Sequence, residues 1–155
     1  MKSILAFDPG KSGGWALLNG NKLIEWGRMP VTKTKPPKYD YLAISELFLG
    51  FEPELCVIEG VNAHACKSKS SAFSLGGCYE MLQCLAVIHA TPIVFANPTA
   101  WTRAMVSGAK KKDKAMHMLD AERLFPECRE DMKIKNNDGI ADAILMAEWA
   151  RRSNL

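Results

Sequence analysis

A mixed α/β fold is predicted, a five-stranded sheet of three antiparallel strands followed by two parallel ones and covered by helices. Three features of the sequence predict it. The chain opens with three short apolar runs joined by turn residues, two later runs rich in β-branched residues are separated by a helix-length stretch, and the remainder has helical periodicity. A doubly wound nucleotide-binding fold would not begin with two consecutive hairpins. With 155 residues, 48% of them apolar, residues 1–155 read as one domain able to bury a full core.

Lys2 to Asp8 reads as a central strand and Trp15 to Asn19 as the next, with Asn19-Gly20-Asn21 turning the chain into Lys22 to Met29. The prolines of Met29 to Lys38 forbid regular structure. Tyr39 to Phe51 has an amphipathic helical pattern that ends at Gly50 and Pro53, and Leu55 to Ile58 is a short buried strand running into Glu59-Gly60. Ser70 to His89 predicts a long helix. Gly76 and Gly77 lie inside it, each costing about 1 kcal/mol relative to alanine, which points either to a close-packed helix or second subunit or to a local kink. Pro92 to Ala96 is the fifth strand, and Asn97-Pro98-Thr99 starts a short helix with Trp101 and Met105 inward. A further helix follows Lys114 through Met116, Leu119 and Phe125, and the last begins near Asn136-Asn137 and runs through Ile140, Ile144 and Trp149.

The formal charge of +3 is compatible with a basic stripe. Five cysteines without a C-x-x-C pair, and no basic leader ahead of the first strand, lead to the expectation of a cytoplasmic protein with reduced thiols. His64, His89 and His117 form no zinc pattern with the cysteines, and most of the three are expected to be packing residues. No apolar run is expected to cross a membrane.

Chemistry concentrates in the carboxylates. Asp8 ends the first strand inside Asp8-Pro9-Gly10, which is also ordinary turn chemistry, and Glu59 ends the fourth with the same grammar. Asp138 and Asp142 stand one helical turn apart on one face, with Gly139, Ala141 and Ala143 leaving room for close approach. An acid in a first turn, as at Asp138, needs no further role, whereas Asp142 lies level with apolar Ile144 and Leu145. Together the four imply a shared divalent-cation site, because like charges at close range otherwise repel. Hard oxygen ligands select magnesium or manganese, and such clusters hydrolyse phosphodiesters with two ions. Lys67, Lys69, Lys110, Lys111, Lys112 and Lys114 fall on the carboxylate side and are candidate phosphate contacts, Lys114 the one expected nearest the scissile phosphate. A solvated turn is the plainer reading of the lysine run.

The ordered set FDPGKSGG, VIEG, SSAFSLGG, NPTAW and NDGIADAILMAEWA resembles the RuvC-like Holliday-junction resolvases, in the short versions carried by bacteriophages. The resemblance implies an RNase H-like fold, a homodimer and Mg2+-dependent paired nicking of four-way DNA junctions, with two ions per site and Mn2+ able to substitute. It places the family's acids on Asp8, Glu59, Asp142 and Asp138, the last pair one residue wider than in bacterial members. The predicted DNA contacts are Lys11, His64 and the lysines above, and the predicted dimer contacts Phe73, Gly76 and Gly77. The loop after Glu59 has no Phe, Tyr or Trp where bacterial members place an aromatic wedge, which widens the expected substrates to branched DNA. No membrane and no nucleotide cofactor are expected, and the compartment would be the host cytoplasm for a phage-borne chain. Two other classes compete. An ATPase of the actin and sugar-kinase superfamily also has an aspartate and glycines after its first strand but needs two domains, and a catalytically silent junction binder would keep the acids only as remnants.

Overall fold

The computed structural model describes residues 2–61, 66, 68–108 and 113–155. Strands β1 (Ser3–Asp8), β2 (Gly14–Asn19) and β3 (Lys22–Arg28) form the antiparallel meander, and β4 (Leu55–Glu59) and β5 (Ile93–Ala96) add in parallel on the other side of β1. The sheet order is β3-β2-β1-β4-β5, which makes β1 the central strand. Its side chains alternate between two cores. Ile4 and Ala6 join the cluster of Trp101, Ile140, Ile144 and Leu145, while Leu5 and Phe7 face Ile44, Phe48, Cys78 and Leu82.

Helices α1 (Tyr41–Phe51) and α2 (Lys69–Ile88) cover the second core. α1 starts two residues later than its apolar pattern suggests, because the Asp40 side chain accepts from the Ala43 amide and caps it. It ends on Glu52, in the left-handed region at φ 44°, with Pro53 barring continuation. α2 is capped by Ser68 and buries only Cys78, Leu82 and Ala86 of its 20 residues.

The apolar length of α2 corrects the expectation that no run could cross a membrane: by length and hydropathy this helix qualifies. Its setting argues otherwise. β4 before it and β5 after it are paired neighbours in one sheet, whereas a spanning helix of this length would separate its flanks by about 30 Å of hydrocarbon.

The first core is covered by α3 (Pro98–Met105), α4 (Lys114–Leu124) and α6 (Asp138–Arg152), with a 3-10 turn at Pro126–Cys128 and the short α5 (Arg129–Met132) leading into α6. α4 departs from its predicted face. Leu119 is 54% exposed and the helix instead buries His117, Asp120 and Ala121. Polar groups turn inward here because they have partners there: Asp120 accepts from the Ser107 amide at 2.6 Å and from its hydroxyl at 2.9 Å, tying α4 to the end of α3. All five cysteines are unpaired.

Candidate active site

Phe7 stands opposite Ile58 in the parallel pairing of β1 with β4, so the next residues, Asp8 and Glu59, leave the sheet side by side at its carboxyl edge. α6 then crosses this edge at backbone contact. Gly13 and Gly139 form a bridge between the β1–β2 turn and the helix. A Cβ on Gly139 would lie 2.6 Å from the Gly13 Cα and 2.8 Å from Asp8 Oδ2, and one on Gly14 would lie 2.6 Å from the Ile140 nitrogen. Only glycine permits this approach, which brings the first turns of α6, with Asp138 and Asp142, up to Asp8. The entry to the helix is fixed by Asn137, which accepts from Arg28 Nε at 2.7 Å and donates to the Asp131 carbonyl at 2.9 Å.

Three other side chains complete the cluster. Lys114 Nζ pairs with the Asp138 carboxylate, His117 Nδ1 lies 2.5 Å from Asp142 Oδ1, and Trp101 Nε1 donates to Glu59 Oε1 at 2.9 Å. The rings of Trp101 and His117 meet edge to face, centroids 5.6 Å apart.

The electrostatics are those of a site short of positive charge. Burial raises the Asp8 carboxyl well above its ordinary range, and Asp142, Glu59 and Asp138 raise it further, with Lys114 opposing. Burial and Asp142 push Glu59 up to about 7 against the hydrogen bond from Trp101 and the charge of His117. Burial raises Asp142 too, opposed by His117, whose own pKa is raised by that hydrogen bond. Lys114 is held more firmly protonated by Asp138. Three carboxylates, Asp8, Glu59 and Asp142, that resist ionising together, with the Asp138 oxygens beside them, are the donor chemistry of a hard divalent cation. Among the described residues no three His, Cys, Asp or Glu side chains stand close enough to grip one ion as they are, and Lys114 and His117 are what hold the α6 pair in the present arrangement.

Asp8, Glu59, Asp138, Asp142 and Lys114 are thus brought together as expected. Lys11 is exposed on the turn after β1, its ammonium over the Tyr39 ring at 5.9 Å, and Lys69 is exposed in the first turn of α2. His64, Lys67, Lys110, Lys111 and Lys112 lie outside the described residues. Phe73 is 85% exposed, and among the described residues a Cβ on Gly76 or Gly77 would meet nothing within 4 Å, so neither glycine makes a close contact with them.

His117 is a correction. Expected to pack, it engages a carboxylate, whereas His89 does pack, stacked on Phe48 with ring centroids 5.6 Å apart. The missed signal was spacing. Lys114 and His117 are one turn apart on α4, matching the one-turn separation of Asp138 and Asp142 on α6. The sequence puts Trp101 inward, and the structure adds that its indole N–H donates to Glu59, a pairing between residues 42 apart that no local pattern marks.

No protein-family model matches this sequence, and no curated protein matches it. Solved structures do. Thermus thermophilus RuvC superposes with a TM-score of 0.69 at 16% identity, covering 98% of this chain and 96% of that one. The chain has the RuvC-type, RNase H-like fold. The same T. thermophilus protein in complex with a Holliday junction substrate superposes at 0.67, with 16% identity and 99% and 96% coverage. The fowlpox virus resolvase in complex with Holliday junction DNA gives 0.65, with 16% identity over 97% and 99% of the two chains.

Proposed function

We propose that this protein is a structure-selective DNA endonuclease of the compact bacteriophage type, which resolves four-way or other branched junctions by paired nicking and works in the cytoplasm. The observation that carries this reading is the meeting of Asp8, Glu59, Asp138 and Asp142 at the carboxyl edge of the sheet, in a fold it has in common with resolvases solved on junction DNA. The four acids would hold Mg2+, two ions in the full site, with Mn2+ able to substitute. Bound there, the ions supply the Lewis acidity that phosphodiester hydrolysis needs.

The chain's own residues do the rest. Asp8 and Glu59 are carried by adjacent strands and Asp142 by a buried helix, so the backbones that bear the acids are set before substrate arrives and only their side chains would have to close on the ions. Lys114 has a side chain 74% exposed, so its ammonium could exchange the Asp138 carboxylate for the DNA backbone and leave Asp138 available as a ligand. Lys11 and Lys69, exposed beside the site, add phosphate contacts.

A homodimer suits a twofold-symmetric junction, and the outer stripe of α2, Phe73, Gly77, Cys84, Val87 and Ile88 with the single charge of Glu80 among them, is the largely apolar exposed surface a second copy would cover. The test is cleavage with Mg2+ of labelled four-way junction, fork, flap, linear duplex and RNA–DNA hybrid. Paired symmetric nicks in the junction are expected. Failure to cut any branched substrate with Mg2+ or Mn2+ would leave the silent junction binder as the better reading.

A further inference from the structure

We propose that Trp101 and His117 form an interior brace whose role is to position Glu59 and Asp142 for the cation. This inference rests on the reading that the four acids hold a metal. Each ring approaches its carboxylate from the protein side. Trp101 is 1% exposed and donates to Oε1 of Glu59, and His117, also buried, faces Oδ1 of Asp142. An ionised carboxylate can only accept, so His117 donates from Nδ1. One oxygen of each acid is thereby held by a ring, and neither ring takes the other oxygen. The rings also fix each other through their edge-to-face contact, and the Ser107–Asp120 hydrogen bonds lock together the two helices that carry them.

The other nitrogen of His117 carries the argument furthest. Nε2 is buried without a hydrogen-bond partner among the described residues. An unsatisfied buried nitrogen is destabilising, and packing against Trp101 would be served as well by leucine or phenylalanine. Among the described residues the one polar contact the imidazole makes is with Asp142, so that contact is what a histidine at this position provides. Outer partners that orient metal-binding carboxylates act in this way, and their loss weakens metal binding. Lys114 differs in kind. It is exposed, flexible and on the solvent side of the acids, and it competes with a cation for Asp138, whereas Trp101 and His117 remain in place when the cation binds.

The test is calorimetric titration of Mn2+ into metal-free protein without DNA. His117→Leu and Trp101→Phe, which keep bulk and remove the donor, are each expected to weaken Mn2+ binding by about 10- to 100-fold. His117→Asn can present an amide nitrogen where Nδ1 lies and is expected to recover most of that affinity. Wild-type Mn2+ affinity in both donor-deleted variants overturns the brace while leaving the metal site intact, as does His117→Asn binding no better than His117→Leu. If the wild type itself binds no Mn2+, the metal site and the brace fall together. Should His117→Leu not fold, Trp101→Phe decides the matter alone.

Discussion

Helices α6 and α2 lie over opposite faces of the same sheet, both built with glycine and small residues, yet those residues do opposite things. Ten of the 15 residues of α6 are buried, and Gly139 is pressed against Gly13 and Asp8. Three of the 20 residues of α2 are buried, and among the described residues nothing lies within 4 Å of where Gly76 or Gly77 would carry a Cβ. α6 is completed inside the chain, by the sheet and by the active-site carboxylates. α2 leaves its outer stripe exposed. The same residue type therefore marks a finished contact in one helix and an open surface in the other.

That contrast can be broken or sharpened by experiment. The largest effect is expected at the acid against which α6 is packed: Asp8→Asn should abolish junction cleavage while raising the metal-free melting temperature, since it removes a buried, repelled carboxylate. Persistent cleavage would sink the assignment of Asp8 as a metal ligand. Next is Gly139→Val, which forces a branched side chain into the Gly13 and Asp8 contact and should cost about 3 kcal/mol in denaturant unfolding. A neutral result would mean that α6 does not lie as close as the bridge indicates.

On the other face, Phe73→Glu combined with Val87→Glu should convert a dimer to a monomer by sedimentation without altering the circular dichroism. A wild-type protein that is already monomeric and still cuts junctions would move the dimer away from α2.

Titration gives a smaller and more diffuse effect. Glu59 titrates near 7 in the folded, metal-free protein and near its ordinary 4.5 when unfolded, so between these values the folded state binds more protons. Stability in chelator should therefore fall as pH rises from about 4.5 through about 7, the raised Asp8 and His117 acting in the same direction, and saturating Mg2+ should remove the slope. A melting temperature independent of pH in chelator would contradict the buried-carboxylate picture. The smallest effect is expected from Gly77→Ala, which should stabilise the monomer by about 1 kcal/mol through helix propensity alone, while weakening association if the second copy packs there.

Much of this was legible in the chain. The strand runs ending in Asp8 and Glu59 are apolar, short and followed by glycine, and a parallel pairing of such strands leaves two acids at one edge whatever the details of the loops. The one-turn spacing of Asp138 and Asp142 is likewise a property of any helix that contains them. α4 was less legible, because its apolar residues do not mark its buried face. Leu119 is outside and His117 and Asp120 are inside, and only the neighbouring helices supply the partners that make burying those polar groups tolerable.

The sequence by itself determined the sheet, its order of construction and the four acids, because strand and helix periodicity and turn chemistry are local. Tertiary structure alone decided which glycine is in contact and which is not, that Trp101 holds Glu59 and that His117 holds Asp142. These depend on residues far apart in the chain meeting across a packed interior, where distance and desolvation act between elements that no local pattern relates.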